Sequence, residues 1–284
     1  MILRVTNQEF VLLRKYFEDE CGITFGDNKS YLIEKRLSDV AVKSGFKCFG
    51  DLYLKLIKSS DKGNLYNLVV DAITTNETLW FRDQYPYKIL EDLALPELNE
   101  SINNGKKSKI TIWSAACSTG QEPYSIAMKV LDYFKKLGNE EECYKRVNVL
   151  ASDISNSAVS QASIGKYDNT AIKRGLTSDF LEIYFKKENN EWIISDKVKN
   201  LITFRQFNLK EPYLRAFGPF EIIFLRNVII YFTDSFKTNL FDRIARLMSP
   251  GGYMFLGSGE TVSGYSNHFE ILKYQGAVYY RLKR

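Results

Sequence analysis

The stretch AACSTGQEPYS, from Ala115 to Ser125, has the clearest chemical character in the chain. It follows a β-rich run, KITIWS, and precedes an amphipathic helix. Small residues at such a junction let the backbone approach a nucleotide at the carboxyl end of a strand. Gly120 is its single glycine, so the G-x-G-x-x-G dinucleotide fingerprint is absent and a different adenosine ligand is indicated. Glu122, just before Pro123, reads either as a ligand contact or as an ordinary acid favoured by the helix dipole. Asp153 ends the next apolar run, RVNVLAS, and is the kind of acid that accepts hydrogen bonds from two ribose hydroxyls.

Two further segments carry polar groups in unusual company. TTNETLWFR, Thr74 to Arg82, supplies orienting amides and hydroxyls, and Arg82 brings a guanidinium fork suited to a carboxylate. The structural alternative is a packed linker anchored by Trp80 and Phe81, and the two readings are compatible. LRNVIIYF, Leu225 to Phe232, sets Arg226 and Asn227 at the end of an apolar strand, where an amide orients a ligand or simply forms a turn. Other chemistries are disfavoured. The single histidine, His268, has no Cys or His partner nearby in sequence, and the four cysteines form no CxxC pair, so neither a metal centre nor a disulfide framework is indicated.

The elements that must position these residues fall into two patterns. Before Lys109 only helical spacing occurs. Thr6 and Glu9 form a T-x-x-E capping box ahead of Phe10, Leu13 and Phe17, with Gly22 closing the helix. In the next helix Ile33, Leu37, Val40 and Ala41 make one stripe, bordered by Lys29, Arg36 and Lys43. That basic ridge is either a solvated face or a docking surface for an acidic partner. After Lys109, apolar strands alternate with helices, which predicts a mostly parallel, doubly wound α/β sheet covered on both faces. Between Thr177 and Phe207, DFLEIYFKK reads as a helix, and EWIIS and NLITFRQF as two antiparallel strands of a small inserted subdomain. The net charge of +5 suits an acidic partner surface and falls short of a nucleic-acid-binding tail. No apolar run reaches the roughly 18 residues of a membrane span, and the first residues lack a signal-peptide apolar core, so a cytoplasmic protein without membrane insertion is expected. A monomer is the default expectation.

Read in order, TTNETLWFR, WSAACSTGQEPYSIA, ASDIS, FNL, LRNVIIYF and GGYMFLGSGET resemble the chemotaxis-receptor methyltransferases, the CheR family. The resemblance spans nearly the whole chain. It implies a fold of the S-adenosylmethionine methyltransferase type: a helical receptor-docking domain at 1–73, a linker at 74–88 contributing to the cofactor site, and a methyltransferase domain at 89–284 with the β insertion at about 175–207. It implies S-adenosylmethionine as cofactor, S-adenosylhomocysteine as product, and glutamates on chemoreceptor cytoplasmic helices as substrate. Asn76, Thr78, Arg82 and Glu122 would line the cofactor pocket, with Glu122 at the methionine end. Asp153 would take the ribose, Asn208 and Leu209 the adenine side, and Asn227 and Val228 would complete the pocket. Arg82 and Tyr231 would stand beside the reacting methyl, and Lys29, Arg36 and Lys43 would meet the receptor. A receptor tail peptide at the β subdomain is a further possible partner. Leu225, Gln121 and the run from Gly257 to Glu260 depart from the family's usual residues without removing an expected ligand, and Val40 stands where the docking helix often has another arginine. The rival readings are a methyltransferase for another acceptor and a non-catalytic module that senses the cofactor.

Overall fold

The computed structural model describes residues 3–58, 63–211 and 218–284. The capping box forms as its spacing predicts: the Glu9 N–H donates to the Thr6 hydroxyl, and the Thr6 N–H donates to the Glu9 carboxylate at 2.9 Å. It starts α1 (Asn7–Cys21), followed by α2 (Ser30–Lys43), α3 (Phe49–Lys58) and α4 (Asn64–Ile73). Phe10, Leu13 and Phe17 pack with Ile33, Leu37, Ala41, Leu52 and Val70 into one core, so each helix buries the stripe its periodicity marks.

A helical run then crosses to the second half: α5 (Tyr85–Ile89), a π-helical turn (Leu90–Ala94) and α6 (Leu95–Asn103). Strand β1 (Ile110–Ala115) is followed by α7 (Gln121–Lys136), α8 (Glu142–Arg146), β2 (Val147–Asp153) and α9 (Asn156–Ile164). Next come β3 (Lys166–Asp168), α10 (Asn169–Lys173), α11 (Ser178–Tyr184), β4 (Phe185–Glu188), β5 (Glu191–Ile194) and α12 (Asp196–Lys199). The chain continues through β6 (Ile202–Gln206), β7 (Phe220–Leu225), α13 (Asp234–Leu247), β8 (Met248–Leu256), β9 (Phe269–Tyr274) and β10 (Ala277–Leu282). The large sheet has the order β6-β2-β1-β7-β8-β10-β9. β6, β2, β1, β7 and β8 pair in parallel, and β10 alone runs the other way, antiparallel to both β8 and β9. Alternate residues feed opposite faces: Ile110, Ile112, Ile222 and Phe224 pack with α7, whereas Trp113, Ile223 and Leu225 pack with α13.

The insertion differs from the sequence reading. NLITFRQF is not a strand of the small subdomain: β6 pairs in parallel with β2, from Val149 opposite Ile202 to Asp153 opposite Gln206. The segment between β2 and β6 acts as the long crossover that a parallel pair requires, and strand periodicity alone does not say which sheet a strand will join. The small sheet is β3-β5-β4, antiparallel, so Lys166–Asp168 supplies a strand missed in the sequence, and Phe185 and the two lysines of DFLEIYFKK leave the helix for β4.

The linker is fastened firmly to this half. Trp80 is buried, its indole donating to the Ala171 carbonyl at 3.1 Å and its N–H to the Arg174 carbonyl at 3.0 Å. The Phe81 N–H donates to the Ser125 hydroxyl at 3.1 Å, so the linker also rests on α7. Gly175 makes the close approach possible. Its φ is +101°, and a Cβ there would come within 2.3 Å of the Trp80 carbonyl oxygen. Gly175→Ala is therefore expected to destabilise the protein by roughly 1–3 kcal/mol through strain and displacement of Trp80. A denaturant midpoint equal to wild type would contradict that packing.

Candidate functional site

Four neighbouring parallel strands end at one cleft. Beyond β1 lie Ala116, Cys117 and Ser118; at the tip of β2, Asp153 and Ile154; beyond β6, Phe207, Asn208 and Leu209; beyond β7, Arg226, Asn227 and Val228. This is where an open α/β sheet receives its ligand, outside the carboxyl ends of strands whose order reverses at β1. Asn76, Thr78 and Arg82 line the cleft from the linker, Tyr231 from the turn after β7, and Ile23, Phe25, Lys29 and Arg36 from the helical domain. The cleft is open to solvent at its mouth.

All the residues assigned to the cofactor by resemblance, including Asn76, Thr78, Glu122, Asp153, Asn208, Leu209, Asn227 and Val228, line this one cleft, together with Arg82 and Tyr231. The basic ridge divides. Arg36 turns toward the linker, donating to the Ile73 carbonyl and to the Thr75 hydroxyl at 2.8 Å, so it holds the segment that leads to Asn76 and Thr78. Lys29 is on the cleft rim, and Lys43 is exposed at the far end of α2, away from the cleft lining.

Backbone strain concentrates here. Of the eight non-glycine described residues with positive φ, Phe81, Asp83, Gln84, Ala116, Ser118 and Asn227 line or flank the cleft, which marks it as a site where geometry outweighs local preference. Asp153 is buried; one carboxylate oxygen accepts from Ser118 N–H at 2.8 Å and the other from Ser155 N–H at 2.9 Å. Burial pushes its carboxyl above the ordinary value while these two donors pull against the rise. Lone pairs remain on both oxygens for a diol. The Asn208 side chain is committed to structure, donating to the Glu20 carbonyl at 2.7 Å and accepting from Lys210 N–H at 2.9 Å.

Glu122 has a partner absent from the sequence-based site. One of its oxygens accepts from the Ser114 hydroxyl at 2.8 Å and the other from Arg226 at 2.9 Å. Burial raises the Glu122 carboxyl and Arg226 opposes it. Arg226 also donates to Asp83 at 2.7 Å and to the Arg82 carbonyl at 2.8 Å. Glu260 is a second omission: its carboxylate accepts from the N–H groups of Asn227 and Gly257 at 2.7 Å and of Val228 and Ile229 at 2.9 Å. An arginine directly after the apolar run Ile222–Leu225 was the available signal for the first; nothing local marks the second. Arg82 itself has only a long contact, 3.4 Å to the Glu77 carbonyl, among the described residues.

Asp153→Asn is expected to weaken S-adenosylmethionine binding roughly ten- to a hundredfold, the loss of charge-assisted hydrogen bonds. Because burial raises the wild-type carboxyl, its affinity should fall on acidification at a pH above that of an ordinary aspartate, and the Asn variant should lose this dependence. Calorimetry showing equal affinity in the folded variant would overturn the assignment.

Residues 8–74 match the family model described as the CheR methyltransferase all-alpha domain, and residues 76–278 the CheR methyltransferase SAM binding domain. The chain is 38% identical to chemotaxis protein methyltransferase Cher2 of Pseudomonas putida over 98% of each chain. It is 39% identical to chemotaxis protein methyltransferase 1 of Pseudomonas aeruginosa over 99% of this chain and 100% of that one. A similar protein of Vibrio cholerae, chemotaxis protein methyltransferase 1, is 38% identical over 99% of both. With both domain models matched in order and the cleft at the strand ends of the second, this chain belongs to the CheR methyltransferase family and uses S-adenosylmethionine as its cofactor.

Proposed function

We propose that this protein methyl-esterifies glutamate side chains on the cytoplasmic helices of chemoreceptors. The observation that carries the reading is Arg82: a partly exposed guanidinium without a strong partner, lining the same cleft as Asp153 and Glu122. The donor set suits the cofactor. An acid at the tip of β2 matches a vicinal diol, the buried Glu122 stands toward an ammonium-bearing end, and the left-handed turn from Ala116 to Ser118 brings backbone close to a nucleoside. When bound, S-adenosylmethionine supplies a methyl group activated by a positive sulfur.

The acceptor chemistry needs no general base. A glutamate carboxylate is ionised at neutral pH, so it is already the nucleophile. The only histidine, His268, lies outside the cleft beside Asp242. Arg82 then orients the incoming carboxylate with its guanidinium fork, and the Tyr231 hydroxyl provides a second directing group; their contribution is alignment. A hydroxyl acceptor would call for a free proton acceptor, whereas the cleft's Glu122, Asp153 and Glu77 carboxylates are engaged with Arg226, with backbone N–H groups and with Arg174, which favours an acceptor that is already ionised. The converging Arg82, Tyr231 and cofactor residues favour a catalyst over a sensing module.

Methyl transfer from labelled cofactor to a purified receptor cytoplasmic fragment tests this, read as label released by mild base. Arg82→Ala is expected to cut the single-turnover rate by roughly a hundredfold while leaving cofactor affinity nearly unchanged, with Arg82→Lys restoring only part of the loss. If affinity and turnover fall together, Arg82 serves the cofactor's carboxylate instead; base-stable label would overturn the glutamate ester.

The docking ridge reduces to Lys29 and Lys43, since Arg36 is engaged with the linker. Reversing both charges is expected to slow receptor methylation about tenfold at low ionic strength, and added salt should slow the wild type likewise. Unchanged rates would make this edge of α2 an ordinary solvated face.

A further inference from the structure

The turn that carries Arg82 runs against local preference. Phe81, Asp83 and Gln84 take φ values of +48°, +66° and +49°, which non-glycine residues seldom adopt and keep only where their surroundings enforce them. Arg226 holds one side of this turn, through the Arg82 carbonyl and Asp83. The other side is Phe81, held by its N–H on the Ser125 hydroxyl and by the packing of its buried ring. Two rings meet it: Tyr87 edge-on, with centroids 5.3 Å apart, and Phe180 tilted at 4.6 Å.

Phe180 stands outside the cleft lining, on α11 of the insertion. Its own place is well fixed. The Lys129 ammonium, on α7, lies 5.4 Å from its centroid and is itself tied to Glu91 at 2.8 Å. Tyr184 stacks on it at 6.0 Å, with its hydroxyl donating to Asp132 at 2.7 Å. The ring is thus wedged between α7 and the linker. Since the Ala171 and Arg174 carbonyls already accept from Trp80, the insertion grips both residues immediately before Arg82. Asp153 and Asn208, by contrast, are held by Ser118, Ser155, Glu20 and Lys210, none of which touches Phe180. We propose that Phe180 is a positioning residue for methyl transfer: packed on Phe81, it keeps the left-handed turn that aims Arg82 at the acceptor carboxylate. The insertion is then part of the scaffold of the catalytic cleft. This role rests on the acceptor-orienting reading of Arg82.

A double-mutant cycle tests it, using the full chain, a purified receptor cytoplasmic fragment and saturating labelled cofactor under single-turnover conditions. Phe180→Ala should lower the rate about tenfold, the effect of a reacting group slightly misplaced, while affinity for S-adenosylhomocysteine by calorimetry stays as in wild type. Phe180→Tyr, which keeps the ring, should restore most of the rate. In an Arg82→Ala background the same Phe180→Ala change should slow transfer no further, because the guanidinium it positions is gone. An equal slowing in both backgrounds, a wild-type rate for Phe180→Ala, or a parallel loss of S-adenosylhomocysteine affinity overturns the proposal. Should Phe180→Ala fail to fold, Phe180→Leu keeps most of the apolar volume without the ring and carries the same cycle. An Arg82→Ala protein that transfers methyl groups at the wild-type rate removes the reading of Arg82 itself, and the role of Phe180 with it.

Discussion

The buried guanidinium of Arg226 is the constraint on which the rest of the site depends. A charge taken out of water is costly unless it is paired and hydrogen-bonded, so its partners cannot drift without leaving a charge exposed to apolar surroundings. Here those partners belong to different parts of the chain: Glu122 at the start of α7, and Asp83 with the Arg82 carbonyl on the linker. One side chain at the end of β7 thereby ties three segments together around the cleft. Glu260 completes the arrangement by gathering five backbone N–H groups, four of them from the segment that follows Arg226. The left-handed Asn227 is held between these two anchors.

A second set of bonds joins the helical domain to the cleft floor. Lys210 donates to the carbonyls of Glu18 and Asp19, and Asn208 to that of Glu20, so a cation and an amide cap the last turn of α1 where its dipole is negative. The Thr24 N–H donates to the Tyr231 carbonyl at 2.9 Å, and the Ser155 hydroxyl to Asp71 at 2.7 Å. Residues assigned to adenine and to the acceptor are therefore bonded directly to the domain that would meet the receptor. Contact with a partner there has a short physical route to the cofactor.

Much of this was legible in the sequence because local rules and tertiary structure agree. The capping box, the helical stripes, the apolar strands and Asp153 at a strand tip each report a single dominant force. What the sequence hid depended on partners distant in the chain. β6 looked like a strand of the insertion because alternation marks a strand without naming its neighbour. Arg36 looked like a docking residue because helical spacing shows a face, whereas its use is set by Thr75 on another segment. Glu260 and the commitment of Arg226 to Glu122 were invisible for the same reason: a buried charge is explained only by the residues that surround it.

Arg226→Lys tests the central claim most directly, because lysine keeps the charge beside Glu122 but cannot also bridge Asp83 and the Arg82 carbonyl. If the guanidinium positions Arg82, the variant should remain folded and bind S-adenosylhomocysteine within a few-fold of wild type. Its single-turnover methyl transfer should nonetheless fall roughly a hundredfold, as expected when a reacting group is misplaced by about 1 Å. A folded variant that transfers methyl groups at the wild-type rate would contradict the account.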